Sequence, residues 1–239
     1  SRGWMVITGA GPGIMEAGHA GAGADASFGV GIKLPVEQSA NGFIAGDPKL
    51  IDFKYFFTRK IMFMKESDAF VLLPGGYGTM DEAFELLTLM QTGKTPIRPV
   101  VLLEPESGSY WDEWLAFVRE HLIDRGLCSA EDLSLVEHAH TPADAVTIIE
   151  RFYANYVSAR YVGERLVIRL KRAPSKAELA RINDEFRDIV DRGHIERARI
   201  TPAESRDGDG VGLARVALYP LPNFGRIRQL IAALNALPV

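Results

Sequence analysis

The residues best suited to chemistry are Gly75, Gly76, Gly78, Thr79 and Glu82, collected in the stretch PGGYGTMDE behind the apolar run AFVLL at 69–73. A strand that empties into a glycine loop and then a helix is where a parallel sheet receives anions. Backbone N–H groups at the helix start point outward, and glycines let a phosphate approach them closely. Thr79 adds a hydroxyl at the expected helix cap, so a phosphate monoester suits this loop best. The same glycines can also serve only to make a tight corner. A second loop in the same position, Gly9 to Gly13 after the apolar segment 4–8, favours the ligand-binding reading.

Glu82 has two readings. Thr79 and Glu82 have the spacing of a capping box, in which the carboxylate would reach back to the Thr79 N–H and do no chemistry; the other reading is a catalytic carboxylate. Arg59 and Lys60 lie in YFFTRKIMFM, an apolar helical pattern in which a half-buried cation needs a partner. Two familiar fingerprints fail. The dinucleotide pattern G-x-G-x-x-G has Ile14 where its third glycine belongs. Gly93-Lys94-Thr95 resembles the end of a triphosphate loop, but Thr88 stands in place of the first glycine and the triplet closes a helix.

Strands and helices must alternate to place these loops. Strands are expected at 4–8, 27–34, 69–73, 99–103 and 133–136, and helices at 14–23, 53–66, 80–91, 111–125 and 142–159, with a long loop over 35–50. This alternation predicts an α/β fold, a Rossmann-like doubly wound parallel sheet covered on both faces. After 161–163 the pattern changes. Residues 165–172 alternate as a strand, and Ser175 with Glu178 forms a capping box opening a helix to about Val190 that Gly193 ends. Strands near 195–201 and 211–219, separated by a polar loop, precede a last helix from Asn223 carrying Ile227, Leu230, Ile231 and Leu234. The expected organisation is therefore residues 1–160 as a nucleotide-binding catalytic domain and 161–239 as a small α+β unit of βαββα order.

Composition narrows the function class. With 239 residues and 47% hydrophobic side chains, the chain can bury a substantial core. No apolar run reaches membrane-spanning length and no signal-peptide pattern opens it, so a cytoplasmic setting is the default expectation. One cysteine, Cys128, excludes an internal disulfide framework, and the five histidines show no metal-binding spacing, so no metal is expected. Residues 1–159 hold 12 Lys/Arg against 21 Asp/Glu, while 160–239 hold 15 against 10, which separates an acidic part from a basic one. The basic part reads first as a packing or dimerisation appendage. A second reading is an anionic effector site using Arg165, Arg169, Lys171, Arg197 and Arg199, and the lack of aromatic platforms argues against nucleic acid.

The segment YFFTRKIMFMKESDAFVLLPGGYGTMDE resembles the paired R-K and P-G-G-x-G-T-x-x-E motifs of the LOG family of phosphoribohydrolases, often misnamed lysine decarboxylases. TGAGPGIMEAGHAGA is similar to that family's first glycine loop, and IKLPVEQSANGF to a loop of its longer bacterial members. The resemblance covers about 4–158. Phe63 stands where short plant-type members usually carry methionine, which points to the longer bacterial subgroup. Family domains open with a further strand and a Gly-Ser turn, and that segment is expected to be absent from this chain.

The resemblance implies hydrolysis of the N-glycosidic bond of a nucleoside 5′-monophosphate to free base and ribose 5-phosphate, with no cofactor. Glu82 would be the catalytic carboxylate, and Arg59 would orient the nucleotide and interact with it. Gly75, Gly76, Gly78 and Thr79 would anchor the phosphate, with Lys60 facing phosphate or solvent. Gly11, Gly13 and Met15 would line the nucleotide cleft, Met15 by packing. A homodimer or higher homo-oligomer is implied as well. Lysine decarboxylation would need pyridoxal phosphate and a Schiff-base lysine in its own context, and Lys60 is the one motif lysine. The alternative from another class is a nucleotide-binding sensor or cofactor carrier without turnover. Such a binder needs the glycine loop but no carboxylate at the sugar.

Overall fold

A computed structural model describes residues 2–33, 40–207 and 210–237. The chain forms two compact units, Ser1–Asp68 and Ala69–Val239. The expected strand end at Leu34, and half of the loop resemblance in IKLPVEQSANGF, lie outside the described residues.

The first unit holds β1 (Val6–Thr8), α1 (Ile14–Ala22), β2 (Ser27–Ile32), β3 (Leu50–Phe53) and α2 (Phe56–Glu66). Its strands are parallel in the order β1-β2-β3. β3 corrects the expected loop and helix across 50–53. Its four residues LIDF show no apolar alternation, and pairing with β2 is what makes them a strand. Gly29 on β2 makes room for that neighbour, since a Cβ there would lie 2.7 Å from Leu50 Cδ1.

The second unit continues the βα alternation with β4 (Phe70–Leu72), α3 (Tyr77–Gln91), β5 (Val100–Leu103), α4 (Tyr110–Val118), β6 (Val136–Ala139) and α5 (Pro142–Phe152). The strands are parallel in the order β4-β5-β6. Val100, Val101 and Leu102 are all buried, as befits a parallel strand covered on both faces. α4 passes into a π-helical turn at Arg119–Ile123, so the expected helix over 111–125 is not uniform. The expected strand at 133–136 shifts to Val136–Ala139, because Ala130–Leu135 forms a 3-10 turn. α5 starts as expected, with Thr141 Oγ1 accepting the Asp144 N–H at 3.1 Å and Pro142 in the first turn.

β7 (Tyr156–Val162), β8 (Arg165–Leu170), α6 (Lys176–Glu185), β9 (Val190–Arg197), α7 (Pro202–Asp207), β10 (Ala214–Pro220) and α8 (Phe224–Asn235) complete the chain. Their strands form an antiparallel sheet in the order β7-β8-β10-β9. Ile168, Leu170, Ile182, Phe186, Ile195, Val216, Leu230 and Leu234 build its core. The α6 capping box is present in full, with Ser175 Oγ accepting the Glu178 N–H at 3.2 Å and Glu178 Oε2 accepting the Ser175 N–H at 2.5 Å.

Three expectations here are corrected. α5 ends at Phe152 and a strand, β7, takes 156–162. Asn235 Oδ1 accepts the N–H groups of Asn155 (2.9 Å) and Tyr156 (2.7 Å), a constraint from far along the chain that no local pattern reveals. Gly193 lies inside β9 and does not end a helix. The loop between β9 and β10 contains α7, so the order is ββαβαβα and not βαββα.

α8 is packed tightly on the preceding α/β part. Gly225 comes so close to the backbone of Glu131 that a Cβ would collide with it, and Ser134 Oγ donates to Gly225 O at 2.7 Å. Taken together, the described residues form a mixed α/β protein, with helix-flanked parallel sheets consistent with a Rossmann-like fold and a further antiparallel sheet. No helix among them is long and apolar enough to cross a membrane.

Candidate active site

The two glycine loops are built differently. In the second unit, α3 starts at Tyr77 with Gly76 as its cap, and its first backbone bond runs from Met80 N–H to Gly76 O at 3.1 Å. The amides of Tyr77, Gly78 and Thr79 therefore precede the helical ladder, at the end where the helix dipole favours an anion. A Cβ on Gly75 would strike Thr79 Oγ1, so a side chain there would displace that hydroxyl. A Cβ on Gly76 or Gly78 would meet nothing within 4 Å among the described residues, so the space beside those amides is open.

Thr79 is corrected from the cap to the third residue of the helix, and its hydroxyl leans back on Gly75. The capping-box reading of Glu82 goes with it: the helix begins earlier, no side chain caps it, and Glu82 falls in the second turn. Glu82 is half-buried, with Oε2 withdrawn from solvent.

A brace that no local sequence pattern reveals holds this loop. Tyr110 Oη donates to Gly75 O at 2.5 Å. Tyr110 is itself held by Glu104, a 2% exposed carboxylate just past β5 that accepts the N–H groups of Tyr110 (2.9 Å) and Trp111 (2.8 Å). Glu104 thus caps α4 from outside the helix, and His138 Nε2 lies 3.3 Å from its Oε1. Tyr110→Phe should loosen the loop and leave the fold intact. Affinity for inorganic phosphate is expected to fall about three- to tenfold, the worth of one hydrogen bond, with the thermal midpoint nearly unchanged. Phosphate titration beside a melting curve checks this.

In the first unit the loop is strained and locked. Ala10 has φ 63, in the left-handed region, and is 2% exposed. Asn41 holds it, its backbone N–H donating to Ala10 O at 2.9 Å and Nδ2 reaching the carbonyls of Ala10 (3.1 Å) and Gly11 (3.0 Å). Thr8 Oγ1 accepts the Ala10 N–H at 3.0 Å. Fully buried His19 connects the set. Phe28 O, 3.0 Å from Nε2, can only accept, so Nε2 carries the proton and Nδ1 accepts from Asn41 Nδ2 at 3.1 Å. The spacing of His19 to Thr8 and Asn41 shows no motif in the sequence.

Met15 packs over this loop. Cβ atoms on Gly9 and Gly11 would lie 2.8 Å from its Sδ and 2.5 Å from its Cε, so a side chain at either would have to displace the end of Met15. Gly13, φ 70, caps α1. Arg59 reaches the same loop from α2: a Cβ on Gly9 would lie 3.8 Å from its Nη1. Its guanidinium sits 5.3 and 5.9 Å from the rings of Phe56 and Phe63, with Nε withdrawn from solvent. Lys60, beside it, is half-buried. Gly11, Gly13, Met15, Arg59 and Lys60 thus belong to one unit, and Gly75, Gly76, Gly78, Thr79 and Glu82 to the other.

The five basic residues considered for an effector mostly serve the fold. Arg165 pairs with Glu196, Arg169 with Glu204, Lys171 with the Tyr153 and Ala154 carbonyls, and Arg197 with Pro174 O. No group of metal-ligating side chains occurs among the described residues.

These features define an α/β protein with a glycine-opened, anion-receptive helix end and a half-buried carboxylate one turn beyond it. The chain belongs to the LOG family, whose family model, described as "Possible lysine decarboxylase", matches residues 13–149. It is similar to a "Probable cytokinin riboside 5'-monophosphate phosphoribohydrolase" of Oryza sativa subsp. japonica, 35% identical over 94 residues, 39% of this chain and 37% of the relative. A "Cytokinin riboside 5'-monophosphate phosphoribohydrolase" of Arabidopsis thaliana is 34% identical over 94 residues, 39% of this chain and 42% of the relative. A "Probable" enzyme of the same description from that plant is 32% identical over 125 residues, 52% of this chain and 59% of the relative. The chain thus spans between 37% and 59% of the length of these relatives.

Proposed function

We propose that this chain hydrolyses the N-glycosidic bond of a nucleoside 5′-monophosphate, releasing the base and ribose 5-phosphate. The observation that carries the reading is the arrangement of α3. Its amides at Tyr77–Thr79 are open to an anion, and Glu82 stands one turn further on. Four residues of helix rise ~6 Å, the scale of a ribose phosphate from its ester to its anomeric carbon. Helical side chains lean toward the N-terminus, which aims the Glu82 carboxylate back at the loop.

In this mechanism the 5′-phosphate docks on the amides and fixes the ribose. The bond from the anomeric carbon to the base nitrogen breaks, its electron pair leaves with the base, and positive charge builds on the sugar ring. The Glu82 carboxylate stabilises that charge and takes a proton from the attacking water, whose oxygen bonds to the anomeric carbon. The departing base takes up a proton from solvent, and Glu82 returns the one it accepted, which restores the carboxylate. Arg59, on the first unit, is assigned to orienting the nucleotide. We assign 1–160 to this chemistry and 161–239 to packing and self-association, with a homodimer as the working assembly.

The names of the relatives support hydrolysis over lysine decarboxylation, which would require pyridoxal phosphate on a Schiff-base lysine. The test is incubation with AMP, GMP, CMP and UMP, reading free base by chromatography. Base release from at least one is expected. Binding without release from any of them would overturn the hydrolase and leave a nucleotide sensor.

A further inference from the structure

A cavity of about 310 Å³ lies between the start of β6, the end of α5 and α8. The parallel strands β4 to β6 carry the glycine loop at their C-terminal ends. Val136 and Glu137 open β6, so the cavity sits at the other end of that sheet and is separate from the loop at 75–78.

Its chemistry is unbalanced. Glu137 is shared by two guanidiniums: Arg228 Nη2 donates to Oε1 at 2.6 Å, and Arg151 Nη2 donates to Oε2. Two positive charges therefore face one negative charge. Arg228 is 6% exposed, lies 4.7 Å over the Phe152 ring, and its Nε has no hydrogen-bond partner among the described residues. That Nε is shut off from solvent, so an anion would meet the guanidinium at its terminal nitrogens; a buried guanidinium is costly unless acceptors meet it. Burial holds the Arg228 pKa below the ordinary arginine value, and repulsion from Arg151 adds to this against the attraction of Glu137. The remaining wall is largely apolar, including Phe152, Ala232 and Ala236.

We propose that this pocket binds a small organic oxyanion with an apolar body, its anionic group held by Arg151 and Arg228. The surplus of one positive charge suits a monoanion, and the volume, at the lower end for ligand sites, suits a single ring or its equivalent. Because α8 supplies Arg228 and β6 and α5 supply Glu137 and Arg151, such a ligand ties the C-terminal helix to the α/β part. The site is independent of the nucleotide reading and uses none of the five cations singled out from the sequence.

The experiment is calorimetric titration of the full chain with benzoate and phenyl phosphate, with benzyl alcohol and inorganic phosphate as controls. At least one aromatic anion is expected to bind about tenfold more tightly than either control. Preference for benzoate marks a carboxylate ligand, and preference for phenyl phosphate marks a phosphate ester. Arg151→Gln, at a largely exposed side chain that the fold should tolerate, should weaken binding at least about fivefold. Glu137→Gln, which removes the competing carboxylate, should strengthen it about two- to tenfold. No saturable binding of either aromatic anion by about 10 mM, or affinities unchanged by Arg151→Gln, would overturn the proposal.

Discussion

Glu82→Gln is expected to lower kcat for base release by about 100- to 10,000-fold, the range spanned by a positioned acid or base. KM should stay within about threefold, because the proposed phosphate anchor is the amides of Tyr77–Thr79 and not the carboxylate. Glutamine keeps the shape of a half-buried side chain, so the thermal midpoint should barely move. The physical reason for so large a loss is that charge develops on the sugar only in the transition state. A fixed carboxylate withdrawn from water then acts with little reorganisation. A variant retaining more than about a tenth of the wild-type kcat would remove Glu82 from the chemistry. A variant losing nucleotide binding together with turnover would assign it to the ground state instead.

The largest effect on stability is expected at Glu204. This carboxylate is fully buried beside two buried arginines, with Oε1 3.2 Å from Arg215 Nε and 2.9 Å from both Arg169 Nε and Nη2. Its other oxygen accepts the Thr201 N–H and hydroxyl, both at 3.0 Å. Glu204→Gln leaves both guanidiniums inside the fold without its countercharge, and should cost about 3–5 kcal/mol. For a domain of this size that lowers the thermal midpoint by on the order of 10 °C. Replacing Glu204, Arg169 and Arg215 together by apolar residues should restore most of the loss, because no charge then remains to be buried.

The same group predicts a pH dependence. Burial is the largest single influence and pushes the Glu204 pKa up. Hydrogen bonds from the Thr201 N–H, Arg169, the Thr201 hydroxyl and Arg215 together outweigh it and hold the value at about 2, against 4.5 ordinarily. A depressed folded-state pKa means stability that is fully present above the unfolded value and lost as pH falls through the folded one. The contribution, roughly 3 kcal/mol, should therefore fade between about pH 4.5 and pH 2. Urea melts of wild type and Glu204→Gln should differ most near neutrality and converge toward pH 2. Curves that stay parallel throughout would rule out the ionised carboxylate as the source.

Much of this protein is written locally. The apolar run at 69–73, the glycines behind it and the apolar stripe that follows identify a strand, an anion-receptive loop and a helix from a window of some twenty residues. Ser175 with Glu178 and the stripe Ile227, Leu230, Ile231 and Leu234 announce α6 and α8 in the same way. Caps, periodicity and glycine loops are interactions between near neighbours in the chain, so residue order alone suffices to show them, and the motifs that mark the family are of this kind.

Other features depend on partners that only the folded chain supplies. β3 is a strand because β2 lies beside it, and β7 because Asn235 takes up the amides of Asn155 and Tyr156. The true start of α3 moves Thr79 off the cap, so Glu82 does not complete a capping box there. His19 with Thr8 and Asn41, Glu104 with Tyr110, and Arg169 and Arg215 with Glu204 are buried polar sets drawn from separate segments. Each residue could equally be a solvated polar side chain by its neighbours in sequence. Desolvation makes partnership obligatory, and only the tertiary structure decides which groups are taken out of water together.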